Sequence, residues 1–326
     1  MSDNSGIEWT DSTWNPVTGC TKVSPGCAYC YAEAVTLRFK RGPVYLPGKA
    51  KIVLHPDRLD RPLRWRRPRR IFVDSMSDLF HEDVPDEYID RVFAVMALAD
   101  HHVFQVLSKR PERMLEYIEH ASYWRIHDAF MEVGRATGHV TLKDTWPLPN
   151  VWLGVSVENQ YWADRRIPLL LQTPAAVRFL SLEPLLKPVD LGRVDYGWLL
   201  NDTLADFKEW REDVPFGLRD NERVPPGVAW LNVLTGEWFD GWDSGSDGKK
   251  IDWVIVGGES GPKRRPMAIE WVRSLRDECF TAGIPFFYKQ PGGLYPGGDA
   301  TLDGRTWREF PQGENRVPRD VSKVGA

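Results

Sequence analysis

Six apolar runs of five or six residues punctuate the chain: Ile71–Ser75, Val103–Ser108, Val151–Ser156, Val177–Ser181, Trp253–Gly258 and Pro285–Lys289. Each is nearly continuous in β-branched and aromatic residues, the pattern of strands covered on both faces in a parallel sheet. Between them the apolar period changes to that of a helix. Ile89, Val92, Phe93 and Met96 share one face of Glu87–Leu98, and Ile269, Val272, Leu275 and Cys279 share one face of Ile269–Phe280. Alternating strands and helices joined by right-handed crossovers predict an α/β fold with a mostly parallel sheet, open or curled into a barrel.

The pattern breaks over 193–250. That stretch lacks periodicity, holds five of the fifteen tryptophans, and carries Pro225-Pro226 and the flexible-looking run from Asp243 to Gly248. It reads as a Trp-rich insertion within one domain whose barrel is built from 1–192 and 251–326. The tail from Thr301 is expected to pack over the barrel or fray.

Polar and charged residues follow the strands at one end. They are Asp74-Ser75-Met76-Ser77-Asp78, Ser108-Lys109-Arg110, Ser156-Val157-Glu158-Asn159, Ser181-Leu182-Glu183-Pro184, Gly257-Gly258-Glu259-Ser260-Gly261 and Lys289-Gln290. In βα barrels the C-terminal rim of the strands is where active sites are built. A first strand near Ile7–Thr10 would place the loop that follows it, rich in cysteine, on that same rim.

Composition narrows the class. A net charge of -4 makes no global case for nucleic-acid binding, so any such case is local. Four cysteines in 326 residues do not form a disulfide framework and fit metal ligation in a reducing compartment. The polar start and the absence of any long apolar run predict a cytoplasmic protein with no membrane partner.

Cys20, Cys27 and Cys30 fall within eleven residues in the spacing Cys-x6-Cys-x2-Cys. Ser24-Pro25-Gly26-Cys27, with Pro and Gly central, is expected to form a type II turn that folds Cys20 toward the pair. Structural zinc takes four closed ligands, and neither His55 nor His81 stands at a convincing spacing to supply the fourth. Three thiolates suit an iron–sulfur cluster with one open iron, and zinc remains the alternative.

Other candidates carry weaker chemistry. Gly257–Gly261 either presents amides to a ligand or forms a plain tight turn. Lys109, Arg110 and Lys289 are candidates for holding an anion or donating a proton, Lys289 foremost as the catalytic residue. Arg58–Arg70 holds seven arginines and one acid, with Trp65 among them, and reads as either a phosphate-gripping stripe or a solvated face. Cys279 lies in an apolar helix stripe and reads as core.

In order along residues 7 to about 311, the chain closely resembles the phage-type gp thirty-seven/gp sixty-eight family. The match runs through Ile7-Glu8-Trp9-Thr10, Asn15-Pro16-Val17-Thr18-Gly19-Cys20 and Cys30-Tyr31-Ala32. It continues in Asp74-Ser75-Met76-Ser77-Asp78-Leu79-Phe80, Leu107-Ser108-Lys109-Arg110-Pro111 and Ser181-Leu182-Glu183-Pro184-Leu185. It ends in Val256–Pro262, Phe286–Gln290 and Leu302–Trp307. That family looks like a branch of the radical S-adenosylmethionine enzymes. The resemblance implies a partial (β/α) barrel and a [4Fe-4S] cluster on Cys20, Cys27 and Cys30. It also implies S-adenosylmethionine near Tyr29. Asp74, Ser75, Ser156 and Glu158, carboxylates and hydroxyls at strand ends, read either as contacts to its amino group and ribose or as caps of the following helices. A reductant protein such as a flavodoxin or ferredoxin and a DNA, RNA or nucleotide substrate would be the partners. The competing class is a zinc-stabilised nucleic-acid-binding protein without catalysis. The superfamily's commonest spacing has three residues in the first gap where this chain has six. Asp74-Ser75-Met76 replaces the usual Gly-Gly-Glu, and Pro291 stands where the family often has Trp.

Overall fold

The computed structural model describes residues 5–38, 51–120, 123–137, 146–199, 229–240, 244–246 and 248–311. Seven parallel strands form one sheet in chain order: β1 (Ser12–Trp14), β2 (Arg70–Val73), β3 (Val103–Ser108), β4 (Val151–Ser156), β5 (Val177–Leu182), β6 (Trp253–Gly257) and β7 (Phe286–Gln290). The sheet curls into a half-barrel. Helices cross between strands: α1 (Tyr31–Arg38), α2 (Asp86–Leu98), α3 (Pro111–His120), α4 (Tyr123–Thr137), α5 (Gln160–Gln172) and α6 (Ile269–Ala282). The six expected strands all form.

Pleating sends alternate residues to opposite faces. Ile71, Val73, Phe104, Val106, Leu153, Leu180 and Val254 pack outward beneath Ile89, Val92 and Phe93 of α2, Ile167 and Leu170 of α5, and Val272 and Leu275 of α6. Cys279 is fully buried in that layer, as its helical stripe requires. Phe72, Phe179, Trp253, Ile255 and Phe287 point inward and meet Trp9, whose ring lies 4.7 Å from Phe72 and 6.3 Å from Trp253. Ile7–Thr10 is therefore not the first strand. Its tryptophan plugs the concave floor, and pairing with β2 begins at Ser12.

The floor is apolar and filled, so the polar residues gather at the C-terminal ends of the strands. The tail seals the outer edge. Thr301–Leu302 and Arg305–Thr306 form a hairpin around Asp303 and Gly304, both at positive φ. Beyond it, Phe287 bridges Arg308 and Phe310 packs on Trp253, Phe287 and the Arg70 guanidinium.

Within 193–250, Val194–Asp195, Trp230–Asn232, Glu237–Phe239 and Ser244–Ser246 form a separate antiparallel sheet. The run expected to be flexible thus supplies an edge strand, because Gly245 leaves room for the Trp238 ring, 2.9 Å from where a Cβ would stand. Trp210, Pro225, Pro226, Trp242 and Asp243 lie outside the described residues, as does the tail beyond Pro311. Among the described residues, no helix is long and apolar enough to cross a membrane.

Candidate functional site

The cysteine loop leaves β1 and lies over the C-terminal mouth of the half-barrel, anchored at its stem by the turn after β2. Asn15 Oδ1 accepts from Ser75 Oγ and Met76 N, both at 3.1 Å, and Ser77 Oγ donates to Val17 O at 3.1 Å. Val17 N donates to Asp74 Oδ1 at 2.9 Å, and Gly19 pairs with Ser77. Asp74 is buried, adopts a left-handed φ of 55°, and leaves Oδ2 without a hydrogen-bond partner. Burial pushes its carboxyl well above the usual range. Asp74 and Ser75 therefore stand beneath the loop as its footing.

At Cys20, Arg110 reaches in from the end of β3. Its Nη1 donates to Cys20 Sγ at 3.5 Å and to Asp78 Oδ2 at 3.2 Å, Nε donates to Glu82, and Nη2 donates to Thr21 Oγ1 at 2.6 Å. Burial and the Asp78 carboxylate still push the Cys20 thiol up to about 12, against the pull of Arg110.

At Cys27, Ser24 to Cys27 forms a 3-10 turn rather than the expected type II turn, since Gly26 does not take positive φ. Glycine is needed there for another reason. A Cβ on Gly26 would stand 2.6 Å from Glu158 Oε1. Glu158, fully buried, accepts from Ser24 Oγ at 2.6 Å and pairs with Arg166 Nη1 at 3.3 Å, and the same Nη1 donates to Ser156 O at 2.7 Å. Burial raises the Cys27 thiol, but Lys109 and hydrogen bonds from Val23 and Ser24 outweigh it, and the net shift is downward. Glu158, expected as a cofactor contact, thus lies directly under the cysteine turn, and Ser156, expected likewise, anchors the Arg166 that pairs with it.

Tyr29 is 43% exposed, with Arg265 lying 5.2 Å over its ring. Arg265 is gripped bidentately by Glu259 at 3.0 and 2.7 Å. Gly258 lets the loops after β6 and β7 touch, since a Cβ there would meet Pro291 O at 2.4 Å. The glycine run is a close backbone crossing. Lys289 donates to Glu183 Oε1 at 2.6 Å, and Gln290 Nε2 donates to the same oxygen at 3.1 Å. Glu183, absent from the residues singled out for a role by sequence, holds the catalytic candidate in place. Its position immediately after β5, before a proline, was the available signal.

The arginine stripe is largely consumed within the fold. Arg58 donates to Asn15 O, Arg64 pairs with Asp60, Arg69 donates to Ser12 and covers Trp65, and Arg70 grips Asp11. Trp65 is buried and offers no stacking face. Arg66 and Arg67 are exposed, near the start of β2 and away from the cysteine rim.

Whether the thiols suit a metal centre rests on donor chemistry. All three are free, lie on one loop, and Cys20 senses the charge of Cys27. An N–H donor faces Cys20 sulfur, and Ser24 Oγ, whose own proton goes to Glu158, lies 3.7 Å from Cys27 Sγ and accepts from the thiol. His81 accepts from Asp83 N at Nδ1 and donates Nε2–H to Thr21 Oγ1, while His55 Nε2 bonds Thr18, so both imidazoles are engaged elsewhere. Among the described residues the side chains are not gathered into a group able to hold a metal ion. Three free thiols on one loop are nonetheless the donor chemistry of a thiolate-held iron centre.

No curated protein matches the chain, and no solved structure does. Residues 4–311 match the family described as a protein of unknown function, DUF5131. Spanning the whole half-barrel, its cysteine loop and the insertion, that match makes the chain a member of the DUF5131 family.

Proposed function

We propose that the chain is a radical S-adenosylmethionine enzyme whose [4Fe-4S] cluster is held by Cys20, Cys27 and Cys30. One observation carries the reading: three thiols share a loop clamped over the open end of a half-barrel, and neither nearby histidine is available as a fourth ligand. When bound, the cluster supplies the electron for reductive cleavage of S-adenosylmethionine, the source of a hydrogen-abstracting radical.

The protein's own contribution is placement. Asp74, Ser75 and Asn15 fix the stem of the loop. Arg110 directs an N–H at Cys20 sulfur, which favours a thiolate and raises a cluster's potential. Ser156, Glu158 and Arg166 hold the turn carrying Cys27. Tyr29 presents a ring beside the last cysteine, where S-adenosylmethionine would lie. Lys289, steadied by Glu183, is a positioned cation that can hold an anionic group or give up a proton. The free thiols fit a reducing compartment, the cytoplasm, where a flavodoxin or ferredoxin would be the electron donor.

Anaerobic reconstitution tests this. The expected result is a brown protein with about four irons per chain, losing its iron when Cys20, Cys27 or Cys30 becomes Ala and releasing 5′-deoxyadenosine from S-adenosylmethionine under reduction. One tightly held zinc and no iron would replace this reading with that of a zinc-stabilised binder.

A further inference from the structure

With most of the arginine stripe engaged in internal contacts, a different basic and aromatic surface stands open at the rim. The loops after β6 and β7 are zipped together: Gly258 N donates to Gln290 O at 2.9 Å, Gly261 N donates to Gly293 O at 2.9 Å, and Ser260 bridges Gly293. The resulting ridge carries Leu294, 50% exposed, and Tyr295, 77% exposed. Beside them Lys263 and Arg264 are exposed, and neither meets a carboxylate among the described residues. The ridge runs on to Arg265 and the half-exposed ring of Tyr29, next to Cys30.

We propose that this ridge grips a single-stranded nucleic acid and leads it to the cysteine loop. Unpaired cations neutralise phosphates, and exposed aromatic rings with a neighbouring guanidinium stack bases without reading sequence. An acidic peptide would use the cations but leave the tyrosines without a purpose. The protein as a whole is anionic at -4, so the attraction is confined to this surface. The inference names the substrate class for the proposed radical site and rests on that reading for its purpose, while strand binding itself needs no metal.

Fluorescence anisotropy with a labelled oligothymidylate of about 20 nucleotides tests it, on metal-free and iron-loaded full-length protein alike. Tyr295→Ala should weaken binding about tenfold, the loss of one stacked base. Lys263→Ala with Arg264→Ala should flatten the log–log salt dependence by about 1.4, roughly 0.7 for each cation. Arg66→Ala with Arg67→Ala should change neither. Three outcomes each overturn the proposal: no strand binding, binding indifferent to the ridge variants, or equal competition by poly-glutamate. Binding that survives in a Cys20→Ala, Cys27→Ala, Cys30→Ala protein supports it. Should iron fail to load while the strand still binds, the cluster reading falls and the ridge stands.

Discussion

Arg110 and Cys20 are joined by a hydrogen bond from Nη1 to Sγ, and every other donor of that guanidinium is also placed, on Asp78, Glu82 and Thr21. Held on all sides, it cannot swing away from the sulfur. In the iron-loaded protein, Arg110→Met should lower the reduction potential, because a positive hydrogen-bond donor to the ligand is lost. Glu82→Gln, at a largely exposed residue, should raise it by leaving the arginine less neutralised. Redox titration followed by visible absorption reads both. Arg110→Met should also cost about 3–5 kcal/mol in urea unfolding, since the buried Asp78 loses its partner.

Gly26 should tolerate no side chain. In Gly26→Ala the added methyl meets Glu158, which cannot retreat from Ser24 and Arg166. About 1–3 kcal/mol of stability is the expected loss, together with iron retention after reconstitution. An unchanged iron-to-protein ratio would show that this turn does not position Cys27.

Asp74 is harder to ionise in the folded protein than in the unfolded chain, because it is buried. Its raised pKa means that the unfolded chain ionises first as pH rises, so this group's contribution falls with rising pH above the ordinary carboxylate range. Asp74→Asn should remove that slope, keep the acceptor for Val17 N and suit the left-handed backbone. Asp74→Ala should instead cost about 1–3 kcal/mol through the unpaired Val17 amide and the strained φ. Thermal melts in steps of about one unit from about pH 5 to about pH 8 separate the two.

His102 works in the opposite direction. Burial and the adjacent His101 hold its imidazole down at about 4, with Nε2 bonded to Pro62 O at 3.1 Å. Its neutral form is favoured by folding, so its contribution is complete above the unfolded value of about 6.5 and is lost as pH falls toward 4. His102→Gln should flatten the acid limb of the stability profile over that interval.

Much of the architecture was legible in the residues. Strands buried on both faces must be apolar throughout, so six of the seven announced themselves, and helical stripes such as Val272, Leu275 and Cys279 marked what covers them. Ser12–Trp14 did not, because three residues carry no period, and the tryptophan beside it drew attention to Ile7–Thr10 instead. The cysteine spacing and the rim position of the polar clusters were equally plain, since both follow from order along the chain.

Partnership was not. Charge counts showed seven arginines from Arg58 to Arg70, but only folding revealed that Asp11, Asp60, Ser12 and Asn15 engage four of them. Asp74, Ser75 and Glu158 looked like ligand contacts because carboxylates and hydroxyls at strand ends commonly are. Three-dimensional proximity also set them under a loop that lies as many as 134 positions away in sequence. Local chemistry and periodicity are properties of neighbours along the chain and can be read there. Which side chain satisfies which buried charge depends on contacts across the sheet, and those exist only once the half-barrel has closed around its aromatic floor.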